Sequence, residues 1–73
     1  MKKVKLILCS SGEIDIVYFD DIESAKVAMK EEYEETIQAF QQFKSIEHRI
    51  DENTAWINSE REYYSWKLEE NTI

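Results

Sequence analysis

Val4-Lys5-Leu6-Ile7-Leu8-Cys9-Ser10-Ser11-Gly12-Glu13-Ile14-Asp15-Ile16-Val17-Tyr18-Phe19 contains two runs in which apolar residues recur at every second position. Val4, Leu6 and Leu8 form one stripe and Ile14, Ile16 and Tyr18 the other, which is the period of a β-strand. The loop between them sets how the stripes meet. A three-residue loop, Ser10-Ser11-Gly12, places Leu8 opposite Ile14, Leu6 opposite Ile16 and Val4 opposite Tyr18, with all six on one face. A two-residue loop pairs Leu8 with Asp15 instead. Three-residue hairpin loops favour a left-handed residue at their end, and Gly12, the single glycine of the chain, has no Cβ to oppose that conformation. The expected register is therefore the three-residue one. Its other face would carry Lys3, Lys5, Ile7, Cys9, Asp15, Val17 and Phe19, too apolar a set to stand fully in water.

Downstream, the period changes from two to three and four. Ile22, Ala25, Met29, Tyr33, Ile37, Phe40 and Phe43 follow helical spacing without a Gly or Pro between them, which predicts one amphipathic helix over roughly Asp21 to Phe43. Asp20 is the expected N-cap, with Glu23 three residues on as in a capping box. Asp21 and Glu23 also suit the positive end of the helix dipole.

Residues 44 to 53 fit two readings. Ile46, His48 and Ile50 match a short strand closed by an Asp51-Glu52-Asn53 turn, and Ile46 with Ile50 also match a helical tail; the strand is preferred. Thr54 to Asn58 and Glu62 to Leu68 then form a second hairpin rich in β-branched and aromatic residues. Pairing about Ser59-Glu60 sets Ala55 against Tyr64 and Ile57 against Glu62 on the core face, and Trp56 against Tyr63 on the other. Residues 1 to 73 thus read as a single α+β domain: an antiparallel sheet of four or five strands, made of an N-terminal hairpin and a C-terminal hairpin or meander, with one long helix packed on one face.

Composition narrows the function classes. A 73-residue chain buries only about 60% of its unfolded surface, leaving little core around which to build a deep pocket. Its 42% apolar content and nine aromatics are those of a folding chain rather than a disordered acidic one. No stretch approaches the ~20 apolar residues of a membrane span, and the opening run is too short for a signal peptide, so the expected compartment is the cytosol. The net charge of −7 is concentrated: residues 13 to 35 hold nine acids against Lys26 and Lys30. Such a field repels phosphate backbones, and direct binding of nucleic acid is not expected.

Chemistry is harder to find. Lys5-Leu6-Ile7-Leu8-Cys9-Ser10-Ser11-Gly12 resembles the start of the phosphotransferase IIB proteins and of low-molecular-weight phosphatases. In those families the loop opens a helix whose amides hold phosphate and lower the thiol pKa. Here it feeds Glu13-Ile14-Asp15-Ile16, which is acidic and strand-like, and the phosphatase arginine has no counterpart, Asp15 standing at its place. Zinc would need more ligands than Cys9 and His48, and the acidic runs lack the spacing and glycine of a calcium loop. The expectation is a protein that is not an enzyme and uses neither cofactor nor metal.

Two surface features point to a protein partner. Glu31 neighbours Glu34 and Glu35 at three and four residues on the predicted helix, each such like-charged pair costing about 0.2–0.5 kcal/mol, which a basic partner surface would offset. Trp56 and Tyr63, on the non-core face, are residue types enriched in binding hot spots. With Phe19-Asp20-Asp21 leading into the Ala25/Met29/Tyr33 helix and Tyr63-Tyr64-Ser65-Trp66-Lys67 as last strand, the chain resembles the small acidic proteins encoded by phages and prophages of low-GC bacteria, anti-CRISPR and other anti-defence inhibitors among them. That resemblance implies a stoichiometric inhibitor, in the host cytosol, of a basic site on a nuclease or defence complex. The alternatives are a structural or assembly module, homodimeric through the Ile7, Val17 and Phe19 face or the Trp56 and Tyr63 face, and a sink for a small molecule or signalling nucleotide between subunits.

Overall fold

The computed structural model of the chain describes residues 4–41, 45–60 and 62–70. Within them Ser11 and Gly12 both adopt positive φ, 44° and 88°, the signature of a two-residue turn whose twist matches that of the strands it joins. This overturns the three-residue register. Val4 pairs with Phe19, Leu6 with Val17 and Leu8 with Asp15. The geometry of the turn prevails over the alignment of the two apolar stripes, and the stripes part. Val4, Leu6 and Leu8 share a face with Asp15, Val17 and Phe19, while Ile14, Ile16 and Tyr18 join Ile7 and Cys9 on the opposite one.

The elements in chain order are β1 (Val4–Ser10), β2 (Glu13–Phe19), α1 (Ile22–Ala39), β3 (Ile46–Ile50), β4 (Thr54–Ser59) and β5 (Tyr63–Glu70). They build a five-stranded antiparallel sheet in the order β2-β1-β5-β4-β3, with α1 packed on one face. The fold is α+β. The preferred strand over residues 46 to 50 is present as the edge strand β3, and the turn after it closes through Asp51 N–H donating to Thr54 O at 2.7 Å.

The helix begins one residue later than the Asp20 cap implied. Asp21 is extended (φ −141°, ψ 161°), and its Oδ1 accepts from Ser24 N–H at 2.7 Å. Two adjacent aspartates offer equivalent capping chemistry; the chain leaving β2 needs the second as well before it turns, so Asp21 is the one whose carboxylate overhangs the first turn. The helix ends at Ala39, where Phe40 N–H is shared between the Thr36 and Ile37 carbonyls, a tightened last turn. The expected continuation toward Phe43 is overturned at Phe40 and Gln41, which form a turn although their spacing fits the helix; Phe43 itself lies outside the described residues.

Helical and strand periods converge on one core. Ala25, Met29 and Tyr33 from α1 and Phe40 just past its end meet Val4, Leu6, Ala55, Ile57, Trp66 and Leu68 from the sheet, all buried. Ala25 and Ala55 let helix and sheet approach closely, and the large side chains fill the space around them. Full burial of Trp66, Met29 and Ile57 contributes about 1.5–3 kcal/mol for each side chain. Tyr33 stands edge-on to Trp66 and Phe40 edge-on to Tyr64, with ring centroids 6.1 and 5.5 Å apart. The C-terminal hairpin is offset from the expected pairing: Ser59 and Glu62 close its turn, and Ala55 faces Trp66 and Ile57 faces Tyr64. The face assignment of Ala55, Ile57, Tyr64, Trp66 and Leu68 is unchanged, because the offset is an even number of residues.

From the end of β2 to the start of β3, α1 crosses the sheet from one edge strand to the other. It leaves the turn end of β2 bare, so that Val17, although on the helix side, is 50% exposed. Among the described residues no helix is long and apolar enough to cross a membrane.

Candidate protein-binding surfaces

Glu31, Glu34 and Glu35 are exposed on α1. At 100° per residue the line through Ala25, Met29 and Tyr33 faces the sheet, which points Glu31 and Glu34 to solvent and puts Glu35 on the flank above β2. Glu32 shares that flank. Burial raises the pKa of its carboxyl, and the charges of Glu35 and of Asp15 on β2 raise it further, while the Trp66 indole N–H opposes them. That N–H is buried and reaches hydrogen-bond geometry with no partner, so its help to Glu32 is a field effect more than a bond.

The corner left bare by α1 is accordingly acidic. Glu13, Ser10 and Tyr64 form one cross-strand row on the helix side, and Asp15, Leu8 and Trp66 the next. The Tyr64 hydroxyl is pushed up in pKa by burial, then by Glu62 and Glu13. The ion pairs among the described residues are Lys5 with Glu69, Lys67 with Glu69 and Arg49 with Asp51; none involves Glu13, Asp15, Glu31, Glu32, Glu34 or Glu35. Sequence reasoning found the helical acids and missed their continuation onto β2, because the three-residue register put Asp15 on the other face. The Ser11-Gly12 turn was the signal that could have placed it.

Trp56 and Tyr63 lie on the outer face of the sheet, away from α1, as expected. They are diagonal neighbours rather than opposite one another: Trp56 faces Ser65 and Tyr63 faces Asn58. Tyr63 is 51% exposed and Trp56 half-buried. The glutamates and the aromatic pair are therefore on opposite sides of the sheet and cannot form one site. The expected interface of Ile7, Val17 and Phe19 is also divided, with Ile7 outward and Val17 and Phe19 toward the helix.

Cys9 is half-buried in β1 between Ile14 and Ser65. The turn that follows leads into β2, and α1 starts at the far end of that strand, so the amides of its first turn are remote from the thiol. An open groove of about 420 Å³ lies at the hairpin tip between Cys9, Ile14 and Tyr63. Among the described residues no three His, Cys, Asp or Glu side chains are grouped to hold a metal ion. Comparison with protein-family models, with curated proteins and with solved structures found no match.

Proposed function

We propose that the protein acts without catalysis, as an acidic binding module whose helix side docks on a basic surface of another protein, of the kind that otherwise holds a nucleic-acid backbone. The observation that carries this reading is the unneutralised acidity of one side of the fold. Glu13 and Asp15 of β2 stand on the same side as the helical glutamates, Glu32 has its pKa raised chiefly by burial with the charges of Glu35 and Asp15 adding to it, and no cation among the described residues pairs with these carboxylates. Crowding of like charge costs stability, and a basic partner returns that cost on binding while opposite fields speed encounter and fix orientation. A cytosolic nuclease or defence complex with a phosphate-binding groove fits the description, and the protein would occupy it in place of nucleic acid.

The test displaces a fluorescent duplex from a panel of purified host nucleases and repressors, read by anisotropy. Stoichiometric displacement that weakens with salt, and is lost when Glu31, Glu34 and Glu35 are all replaced by lysine, is the expected result. Displacement from none of the panel, or a complex indifferent to salt and to those substitutions, would count against the reading.

A further inference from the structure

We infer that the outer face of the sheet is the interface of a homodimer, in which a second copy of the chain packs sheet against sheet across a two-fold axis. A strand covering one core on one face alternates apolar inward and polar outward. In β2 the order is inverted over its first half: Glu13 and Asp15 lie on the helix side, and Ile14, Ile16 and Tyr18 face away from it. Ile14 is 66% exposed, Ile16 45% and Tyr18 48%. Ile7, directly opposite Ile16, extends the apolar surface onto β1, and the neighbouring row of Ile14, Cys9, Ser65 and Trp56 reaches across the sheet to β4. A second apolar layer on the side without a helix requires a cover.

Charge selects a second copy as that cover. The outer face carries Lys5, Arg49 and Lys67 against Glu47 and Glu69, as the registers place them, and its cations are already held by Glu69 and Asp51. The face therefore offers an excess of only one positive charge to a strongly charged partner. It matches a surface that is equally apolar and equally mixed, which is its own. Packing in this sense also turns both acidic helix sides outward, so the parts of the two chains that repel are as far apart as the fold allows.

Size agrees. The molecule measures 43 × 22 Å across and 15 Å through, so its broad face is of the order of the ~800 Å² that each partner contributes to a standard stable interface. Two such faces at the usual ~10 Å spacing of stacked sheets would bury Ile7, Ile14 and Ile16 of both copies and add apolar contact to a chain whose own core is small.

Sedimentation of the full chain at micromolar concentration is expected to give twice the chain mass. Ile16→Lys is expected to weaken the dimer by at least about tenfold with an unchanged far-ultraviolet circular dichroism spectrum, and Ile14→Lys, at the more exposed site, provides a second break should the first variant fail to fold. Val27→Lys, on an exposed helix position, is expected to leave the dimer intact. A wild-type monomer, or a dimer that survives both strand substitutions, overturns the inference. So does a dimer that newly protects the edge amides of Ile14 and Ile16 from hydrogen exchange, since that marks pairing along the β2 edge rather than packing on the face.

Discussion

The Tyr33 hydroxyl lies 2.6 Å from His48 Nδ1, joining the middle of the helix to the edge strand β3. With the imidazole neutral and its proton on Nε2, the hydroxyl donates and Nδ1 accepts. The same tyrosine ring stands against Trp66, so Tyr33→Phe removes the bond and keeps the packing. The variant is expected to lose about 1 kcal/mol by urea denaturation, and amides of β3 should exchange faster. A double-mutant cycle with His48→Ala should show coupling of similar size; additive losses would mean that the two side chains are neighbours without a shared bond.

The turn makes a second prediction. Asn followed by Gly is the preferred pair where both central residues take positive φ, and Ser11 is the less suited of the present two. Ser11→Asn is expected to stabilise the protein by roughly 0.5 kcal/mol. Gly12→Ala finds no steric clash but must hold a left-handed backbone, and should cost about 1–2 kcal/mol. In a three-residue loop Ser11 would not be left-handed, and the asparagine variant would be neutral; thermal melts separate the two.

Glu32 and Asp21 give opposite pH dependences. The folded pKa of Glu32 lies above its usual 4.5, so its favourable contribution is complete below that value and is lost as pH rises through the folded pKa. Asp21, hydrogen-bonded at the helix cap, is lowered from 3.8; its contribution is present above that value and is lost as pH falls through the folded pKa. Glu32→Gln is therefore expected to be more stable than wild type at neutral pH, with the gain vanishing in acid. Asp21→Asn should be less stable at neutral pH and have a flatter acid limb. Melting temperature against pH for the variants beside wild type tests both signs.

Ile57, wholly buried between β5 and the helix, measures the core. Ile57→Ala is expected to cost about 2–5 kcal/mol, a large share of the stability of a domain this small, whereas Val27→Ala on the exposed side of α1 should change it by less than ~0.5 kcal/mol. A mild loss at Ile57 would mean that the helix sits less tightly on β4 than described.

What the sequence made legible followed from periodicity. The change from alternate residues to helical spacing near Asp20 located one helix between strands, and the apolar positions of α1, β4 and β5 gave the core almost residue by residue. Registers were less legible, because they turn on backbone angles at Ser11 and in the turn near Ser59, where the side chains say little about φ. The C-terminal offset was even and harmless to the faces. The N-terminal one was odd: it exchanged the sides of Asp15 and Ile16, and with them the reach of the acidic surface and the extent of the apolar one. Three acidic positions and two aromatic ones were identified as surface features from sequence, but that they lie on opposite sides could be read only from the sheet.

The strand order has a consequence for how the chain can be made and divided. The last strand lies at the centre, between the first and the fourth, so until it is in place the sheet exists only as two separate hairpins with a helix between them and no shared floor. Those pieces joined by the first fifty-nine residues form a receptacle awaiting one segment. A synthetic peptide of the β5 sequence, added to the chain severed at the Ser59–Tyr63 turn, should restore the sheet from two inert fragments, which would make this protein a natural starting point for a split reporter.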